Sequence, residues 1–391
     1  MSWLYLLGNK NKRINQKEDG TLLTEITNEF STTKRPKGLL EVEIMKDKKY
    51  MPMSVGDDNY LYGLNHGNKR MIRSNDGFES IESGYDFFGN GIGVPEFVTK
   101  TPTGYLVYVN HNDGLTASVW HSDSFTDGFE KVLDLTNGYV AGGFIPRPWH
   151  NIERGIVMVA EYSKEKDITR YPRAWISRDG GLTWKMIDQL KDKDPSTNFH
   201  YHAMCYDPWQ SRIYLSNGDQ VNAELKYSDD WGETWHKIED NTQPTLLEPM
   251  AKRIVSCPDA FDVVSINTIE KQVNNDFTIK PFMRKAIKIS NIPAYGNFGK
   301  GPVGGLVGSD EMYITFSESG SGVRKCFIVA TGDGGESWHL VATLEPNNGN
   351  GLARGLVSDP NTGYMYGWYS GDIFGDGTWS HLAKIRPLEW E

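Results

Sequence analysis

Several recurrent segments of this 391-residue chain carry ionisable side chains at matching places. Aligned on the start of their second predicted strand and read back nine or ten residues, they present Glu96, Arg147, Ala203 beside His202, Arg253, Gly304 and Arg354. The planar fork of a guanidinium suits a carboxylate or a phosphate, so three such arginines could hold an anionic ligand. Carboxylates stand near the ends of the second strands: Glu161, Asp219, Glu318 and Asp372. They could pair with the arginines and plug a central channel, or line a polar pocket with them. A glycosidase needs two carboxyl groups about 5–9.5 Å apart, a distance that spacing along the chain does not fix. His200 and His202 occupy alternate positions of one strand and face the same way. With Asp219 they could take a metal. No other metal-ligand spacing supports this, so the expectation is a hydrogen-bonded or solvated pair and no metal. His111 lies between Asn110 and Asn112 at the same loop level. Trp149, Tyr162, Tyr201, Trp209, Trp368 and Tyr369 are rings on which the apolar side of a sugar could stack.

The elements that must position these groups follow from composition and repetition. Glycine is abundant, 41 residues, and 12 Trp and 19 Tyr contribute to an aromatic fraction of 12 %. That profile predicts an all-β chain with many tight turns rather than collagen, coiled coil or disorder. No apolar run approaches the ~18 residues of a membrane-spanning helix. The net charge of −10 makes non-specific binding to nucleic acid or to an anionic membrane a poor expectation. Cys205, Cys257 and Cys326 are far apart and odd in number, so neither a disulfide framework nor a CxxC site is expected. The opening MSWLYLLGNKNKR lacks the pattern of an export signal. The expected locations are therefore the cytoplasm or a particle released by lysis.

One octapeptide recurs: Ser177-Arg-Asp179-Gly-Gly181-Leu-Thr183-Trp184, Ser228-Asp-Asp230-Trp-Gly232-Glu-Thr234-Trp235 and Thr331-Gly-Asp333-Gly-Gly335-Glu-Ser337-Trp338. Degenerate copies begin at Ser74, with Asp76, and at Ser122. The starts at 74, 122, 177, 228 and 331 lie 48, 55, 51 and 103 residues apart. The last step spans two periods, so one unit has lost its copy. A period near 50 accommodates four short strands. In each copy the Asp accepts backbone N–H groups, the Gly supplies a positive φ, and the Trp packs beneath the hairpin. Asp76, Asp179, Asp230 and Asp333, with Trp184, Trp235 and Trp338, are thus expected to be structural.

These octapeptides are similar to Asp boxes, also called BNR repeats, and the chain resembles the sialidase-like β-propeller superfamily. The resemblance implies a single β-propeller over 1–391, of seven blades with six as the fallback. Residues 37–391 form the repeats. Residues 1–36 form the closing segment, its strand drawn from Leu4–Asn9 or Thr21–Phe30. The usual Arg-Ile-Pro motif is absent, and FIPRPWH at Phe144 carries the order Ile-Pro-Arg. The arginine triad, the nucleophilic Tyr–Glu pair and the acid Asp of sialidases therefore do not transfer. Tyr162 and Glu161 are neighbours in the chain and point to opposite faces, which argues against their being that pair.

The box also occurs in non-catalytic domains, phage tail proteins among them. The expectation is a carbohydrate- or cell-surface-glycopolymer-binding propeller, such as a bacteriophage tail or receptor-binding protein. Its partner would be a sugar, an anionic glycopolymer or another virion protein. No nucleic acid, membrane insertion or cofactor is expected. The alternatives left open are an exo-glycosidase and a protein-interaction scaffold. The ligand-facing candidates are Arg147, Arg253, Arg354, Glu96, Glu161, His200, His202, Asp219, Glu318, Trp368 and Tyr369.

Overall fold

Short runs of alternating β-branched and aromatic residues, punctuated by Gly, Asn and Asp turns, fold each repeat into one antiparallel four-stranded sheet. In the computed structural model the described residues are 34–136, 149–151, 155–162, 171–191, 200–218, 223–238, 244–258, 265–270, 282–288, 294–295, 310–318, 325–372, 374–375 and 380–391, with the short strands Asn15–Gln16 and Leu22–Leu23. Seven sheets form the seven blades of a β-propeller. Blade 1 is Tyr50–Val55, Leu61–Asn65, Arg70–Ser74 and Glu82–Ser83. Blade 2 is Gly93–Thr101, Gly104–His111, Ala117–Ser122 and Glu130–Leu135. Blade 3 is Trp149–Asn151, Ile156–Ala160, Arg173–Ser177 and Lys185–Gln189. Blade 4 is His200–Asp207, Arg212–Gly218, Glu224–Ser228 and His236–Ile238. Blade 5 is Pro244–Pro249, Arg253–Pro258, Ser265–Glu270 and Phe282–Lys288. Blade 6 is Ala294–Tyr295, Met312–Glu318, Cys326–Thr331 and His339–Leu344. Blade 7 is Asn348–Ser358, Met365–Asp372 and His381–Arg386, completed by Glu41–Met45 from the other end of the chain.

That last strand closes the ring, with Glu41 opposite Arg386 and Met45 opposite Leu382. An N-terminal strand was expected to do this, but from within residues 1–36. The closing strand lies just beyond that segment. Leu4–Asn9 is outside the described residues, and Leu22–Leu23 pairs instead with Asn15–Gln16. The two ends are also stitched together by backbone bonds of Arg35 with Glu391 and of Lys37 with Glu389. Closure leaves no blade with an unpaired flank at the seam.

Successive residues of a strand alternate between the two faces of its sheet, and both faces of a blade are covered by neighbouring blades. The core is accordingly a ring of inter-blade layers. Val98 and Val107 pack with Met53 and Val159, across blades 1, 2 and 3. In the next layer Tyr206 and Leu215 pack on Ile176, between blades 3 and 4. Leu225 packs with Leu247, Val255 with Phe327, Ile328 with Met365, and Ile72 with Tyr366. No described residue is helical, and no helix is long and apolar enough to cross a membrane.

The recurrent octapeptides form the corners between third and fourth strands. Asp179 accepts from the Ser177 hydroxyl at 2.7 Å and from the Thr183 amide and hydroxyl at 3.0 and 2.5 Å. Asp230 and Asp333 repeat the pattern with Thr234 and Ser337. Asp76 repeats it with Ser80. Hydrogen bonds to the carboxylate hold all four acids below the usual aspartate pKa, Asp230 at about 2, although desolvation opposes this. The corner glycine must approach the preceding blade: a Cβ on Gly181, at φ +100°, would sit 2.5 Å from Leu106 Cδ1. In blade 1 the equivalent place is Phe78, at φ 63°. Its buried ring fills the gap against Tyr366 of blade 7, with centroids 5.8 Å apart. Trp338 is buried, while Trp184 and Trp235 are half-buried over the neighbouring blade. Trp235 donates to the Ile187 carbonyl of blade 3 at 3.1 Å.

Candidate functional site

The topology divides the propeller into two faces. The aspartate corners and the turns from first to second strands share one. The starts of the first strands and the loops from second to third strands share the other, termed here the strand-start face. Ligand-facing residues were expected on the latter.

His200 opens the first strand of blade 4, with Gly218 opposite it in register. The register shifts between Tyr201 and Ala203, which sets His202 as an extra residue beside His200. Both imidazoles are buried, with Nε2 atoms 2.9 Å apart. A Cβ on Gly218 would meet His202 Cε1 at 2.3 Å, so the glycine makes room for the ring. Tyr162, next to the second strand of blade 3, stacks on His200 with centroids 4.0 Å apart and planes at 28°. The histidine pair is thus hydrogen-bonded. No cluster of three or more metal-ligating side chains occurs among the described residues, and Asp219, the third group of the metal alternative, lies outside them.

Glu161 lies in the same corner and is 1 % exposed. Its carboxylate accepts from Trp175 Nε1 at 3.3 Å and from Thr136 Oγ1 at 3.2 Å. Tyr201 points the other way. Its hydroxyl donates to Asp188 of blade 3 at 2.7 Å, and Lys226 donates to the same oxygen at 2.7 Å. Burial, then the charge of Asp188, pushes the Tyr201 phenol well above its ordinary pKa. Tyr201 is therefore an inter-blade strut, not a ring offered to ligand.

Half a ring away, Trp368 and Tyr369 lie in the second strand of blade 7. Trp368 stacks with His66 of blade 1, centroids 5.6 Å apart at 28°. His66 also meets Ser380 Oγ through Nδ1 at 3.3 Å. Tyr369 is fully buried, and burial raises its pKa. Glu96 sits half-buried at the bulge of the first strand of blade 2. Glu318 lies opposite Ala294 at the end of its strand, and Arg354 lies opposite Trp368. Arg147 and Asp219 are outside the described residues.

Besides Tyr201, two residues lie on the face opposite to the expected one. Arg253 does not belong to a first strand and does not approach the axis. Met250 to Arg253 is the turn between the first two strands of blade 5, closed by the Met250 amide on the Arg253 carbonyl at 2.7 Å. Arg253 therefore lies on the aspartate face, 2 % exposed. There it binds Glu336, from the corner of blade 6, at 2.5 Å. The apolar run Ile254-Val255 belongs to the second strand of its blade, one strand later than the repeat alignment implies. Trp209 likewise occupies the first-to-second-strand turn of blade 4 and is 41 % exposed on the aspartate face. His111 is held within its own blade by Ser118 and Thr116 at 2.6 and 2.9 Å.

His66 was missed in the sequence because its loop, Asn65-His-Gly-Asn-Lys-Arg70, has no counterpart in other repeats. Its position after a second strand was the available signal.

No protein-family model matches the chain, and no curated protein matches it in sequence. Solved structures do match in fold. A streptogramin B lyase structure superposes with a TM-score of 0.51 at 11 % identity, covering 90 % of this chain and 98 % of that one. A GH74 xyloglucanase from Xanthomonas campestris gives 0.50 at 11 % identity, over 90 % of this chain and 55 % of that one. A prolyl endopeptidase structure gives 0.50 at 11 % identity, over 90 % and 51 %. Proteins of such different names share with this chain the β-propeller fold.

Proposed function

We propose that this chain is a non-catalytic binding propeller of the Asp-box, sialidase-like kind, whose strand-start face holds a carbohydrate of a cell surface. The setting that fits is a bacteriophage tail or receptor-binding protein. The observation that carries the reading is the state of the groups a glycosidase would need. Tyr201 and Tyr369 are fully buried, and the Tyr201 hydroxyl is committed to Asp188 of the neighbouring blade. Glu161 is enclosed and already bonded to Trp175 and Thr136. A nucleophilic tyrosine needs the opposite environment. What the face offers instead is rings with polar neighbours: the half-buried Tyr162 lying over His200, and the half-buried Trp368 stacked with the exposed His66. Such groups suit the apolar and hydroxyl faces of a sugar.

The test is one panel of fluorogenic glycosides, sialosides included, beside purified bacterial cell walls with and without their glycopolymers. Retention on walls without turnover, lost on stripping, is the expected result. Turnover abolished by Glu161→Gln would replace the reading with a glycosidase. Retention on another virion component, and on no wall, would replace it with a scaffold.

A further inference from the structure

The strand-start face is not chemically even. Around the seam of blades 7, 1 and 2 it carries lysines set against aromatic rings. Lys46, just past the closing strand, places its ammonium 5.3 Å from the ring centroid of Phe374. Lys69, in the loop between the second and third strands of blade 1, lies 4.4 Å from that of Phe88. Both rings are about two-fifths exposed, 41 % for Phe374 and 40 % for Phe88. Between these pairs stand Lys49 and His66, tied by the His66 amide on the Lys49 carbonyl at 2.8 Å. The His66 ring lies on Trp368. Burial lowers the His66 pKa, and Lys69 and Lys49 lower it further. Both ammonium groups therefore stand within electrostatic reach of the imidazole.

Two acids of the neighbouring loops, Asp86 and Asp113, bond to amides of their own loops. Asp86 uses one oxygen on the Gly89 amide of its own loop, at 2.7 Å. Asp113 accepts from the Leu115 and Thr116 amides and from the Thr116 hydroxyl. Asp47 is exposed between the lysines of its loop. Lys46, Lys49 and Lys69 are exposed too, as three cations from two loops. A chain of net charge −10 thus sets Lys49 and Lys69 beside exposed rings in one sector.

We propose that this sector is the subsite for an anionic polysaccharide, with sugar faces against Phe374, Phe88 and Trp368 and acidic groups at Lys49 and Lys69. The inference rests on the carbohydrate-binding reading above and narrows it. Uronate carboxylates and backbone phosphodiesters are the two sources of that charge. The rings suit a polymer with apolar CH surfaces, and the oligonucleotide arm of the test separates that polymer from a nucleic acid.

The test measures binding of the full chain to polygalacturonate, to its fully methyl-esterified form, to poly(glycerol phosphate) and to a single-stranded dT oligonucleotide. Binding of at least one anionic glycopolymer, with the ester bound at least tenfold more weakly, is expected. Preference between polygalacturonate and poly(glycerol phosphate) identifies the source of charge. Lys49→Ser/Lys69→Ser should lose about tenfold in affinity with an unchanged melting temperature, and salt should weaken the wild type more than this variant. Phe374→Ser should weaken binding at all salt concentrations. Equal binding of the ester, with the lysine variant unaffected, would overturn the anionic subsite and leave the carbohydrate reading intact. Binding of the oligonucleotide alone, or of no polymer, would overturn both.

Discussion

The strut between blades 3 and 4 gives a prediction whose size follows from the structure. Asp188 Oδ2 accepts both Tyr201 Oη and Lys226 Nζ at 2.7 Å. The Asp188 and Lys226 side chains are 13 % and 11 % exposed, and Tyr201 is fully buried. Asp188→Ala would leave the Lys226 ammonium beside the Trp235 ring, 5.0 Å from its centroid, without its carboxylate. Stranding one partner of a buried pair costs about 3–5 kcal/mol. Tyr201→Phe removes one bond to a charged acceptor and strands nothing, because Lys226 still holds Asp188. Its cost should be about 1.5–3 kcal/mol. Asp188→Leu/Lys226→Met replaces both charges with apolar groups and should cost less than Asp188→Ala alone. For 391 residues an unfolding entropy of roughly 0.8 kcal/mol/K translates 3–5 kcal/mol into about 4–6 °C of melting temperature. Urea titration monitored by Trp fluorescence would supply the free energies, with coincident circular dichroism checking that the transition is all-or-none. If Asp188→Ala costs no more than Tyr201→Phe, the ammonium is not stranded and the reasoning is refuted.

Four further outcomes are expected. Arg253→Met should destabilise by about 1–3 kcal/mol, because Glu336 retains some solvent, yet leave the carbohydrate binding proposed for the opposite face unchanged; a loss of affinity without a loss of stability would return Arg253 to the proposed site. Asp333→Ala should cost about 1–2 kcal/mol, its partial exposure discounting bonds to a charged acceptor. Since Asp76, Asp179, Asp230 and Asp333 have lowered pKa values, their stabilisation is complete above the unfolded aspartate pKa near ~3.9 and fades as pH falls through the folded values. Acid titration of the wild type should therefore show steep loss below about pH 4, and Asp333→Ala should shallow that slope. Phe78→Gly relieves a positive φ but empties the gap against Tyr366; a net loss of about 2–3 kcal/mol is expected by calorimetry, and a gain in stability would mean that backbone strain outweighs the ring.

What could be read beforehand was whatever repeats. The octapeptides at Ser177, Ser228 and Thr331 state their hydrogen bonds in their own side chains, so their corners and the blade period were legible. Seven blades and an N-terminal closing strand followed. The register of blade 5 was not legible, because Met250-Ala-Lys-Arg253 carries no Gly, Asn or Asp to mark it as a turn. Its two flanking apolar runs then look like one, and Arg253 moves to the wrong face. Tyr201 could not be distinguished from a ligand-facing ring, because its partner Asp188 belongs to the preceding blade at a separation of 13 residues that no periodicity marks.

The rim lysines expose the same limit from the other side. Lys46, Lys49 and Lys69 come from connections that differ in length and composition from those of the other blades. Nothing periodic relates them, and only ring closure brings the end of blade 7 beside the start of blade 1. Closure thus has two physical effects here. It pairs the last edge, and it sets one irregular loop against another, so that charges separated from Phe374 by about three hundred residues of chain act at one place. Substitutions that loosen the closing strand, such as Ile44→Asp opposite Ala383, should therefore weaken the proposed polysaccharide binding and stability together. Substitutions in the loops themselves should separate the two.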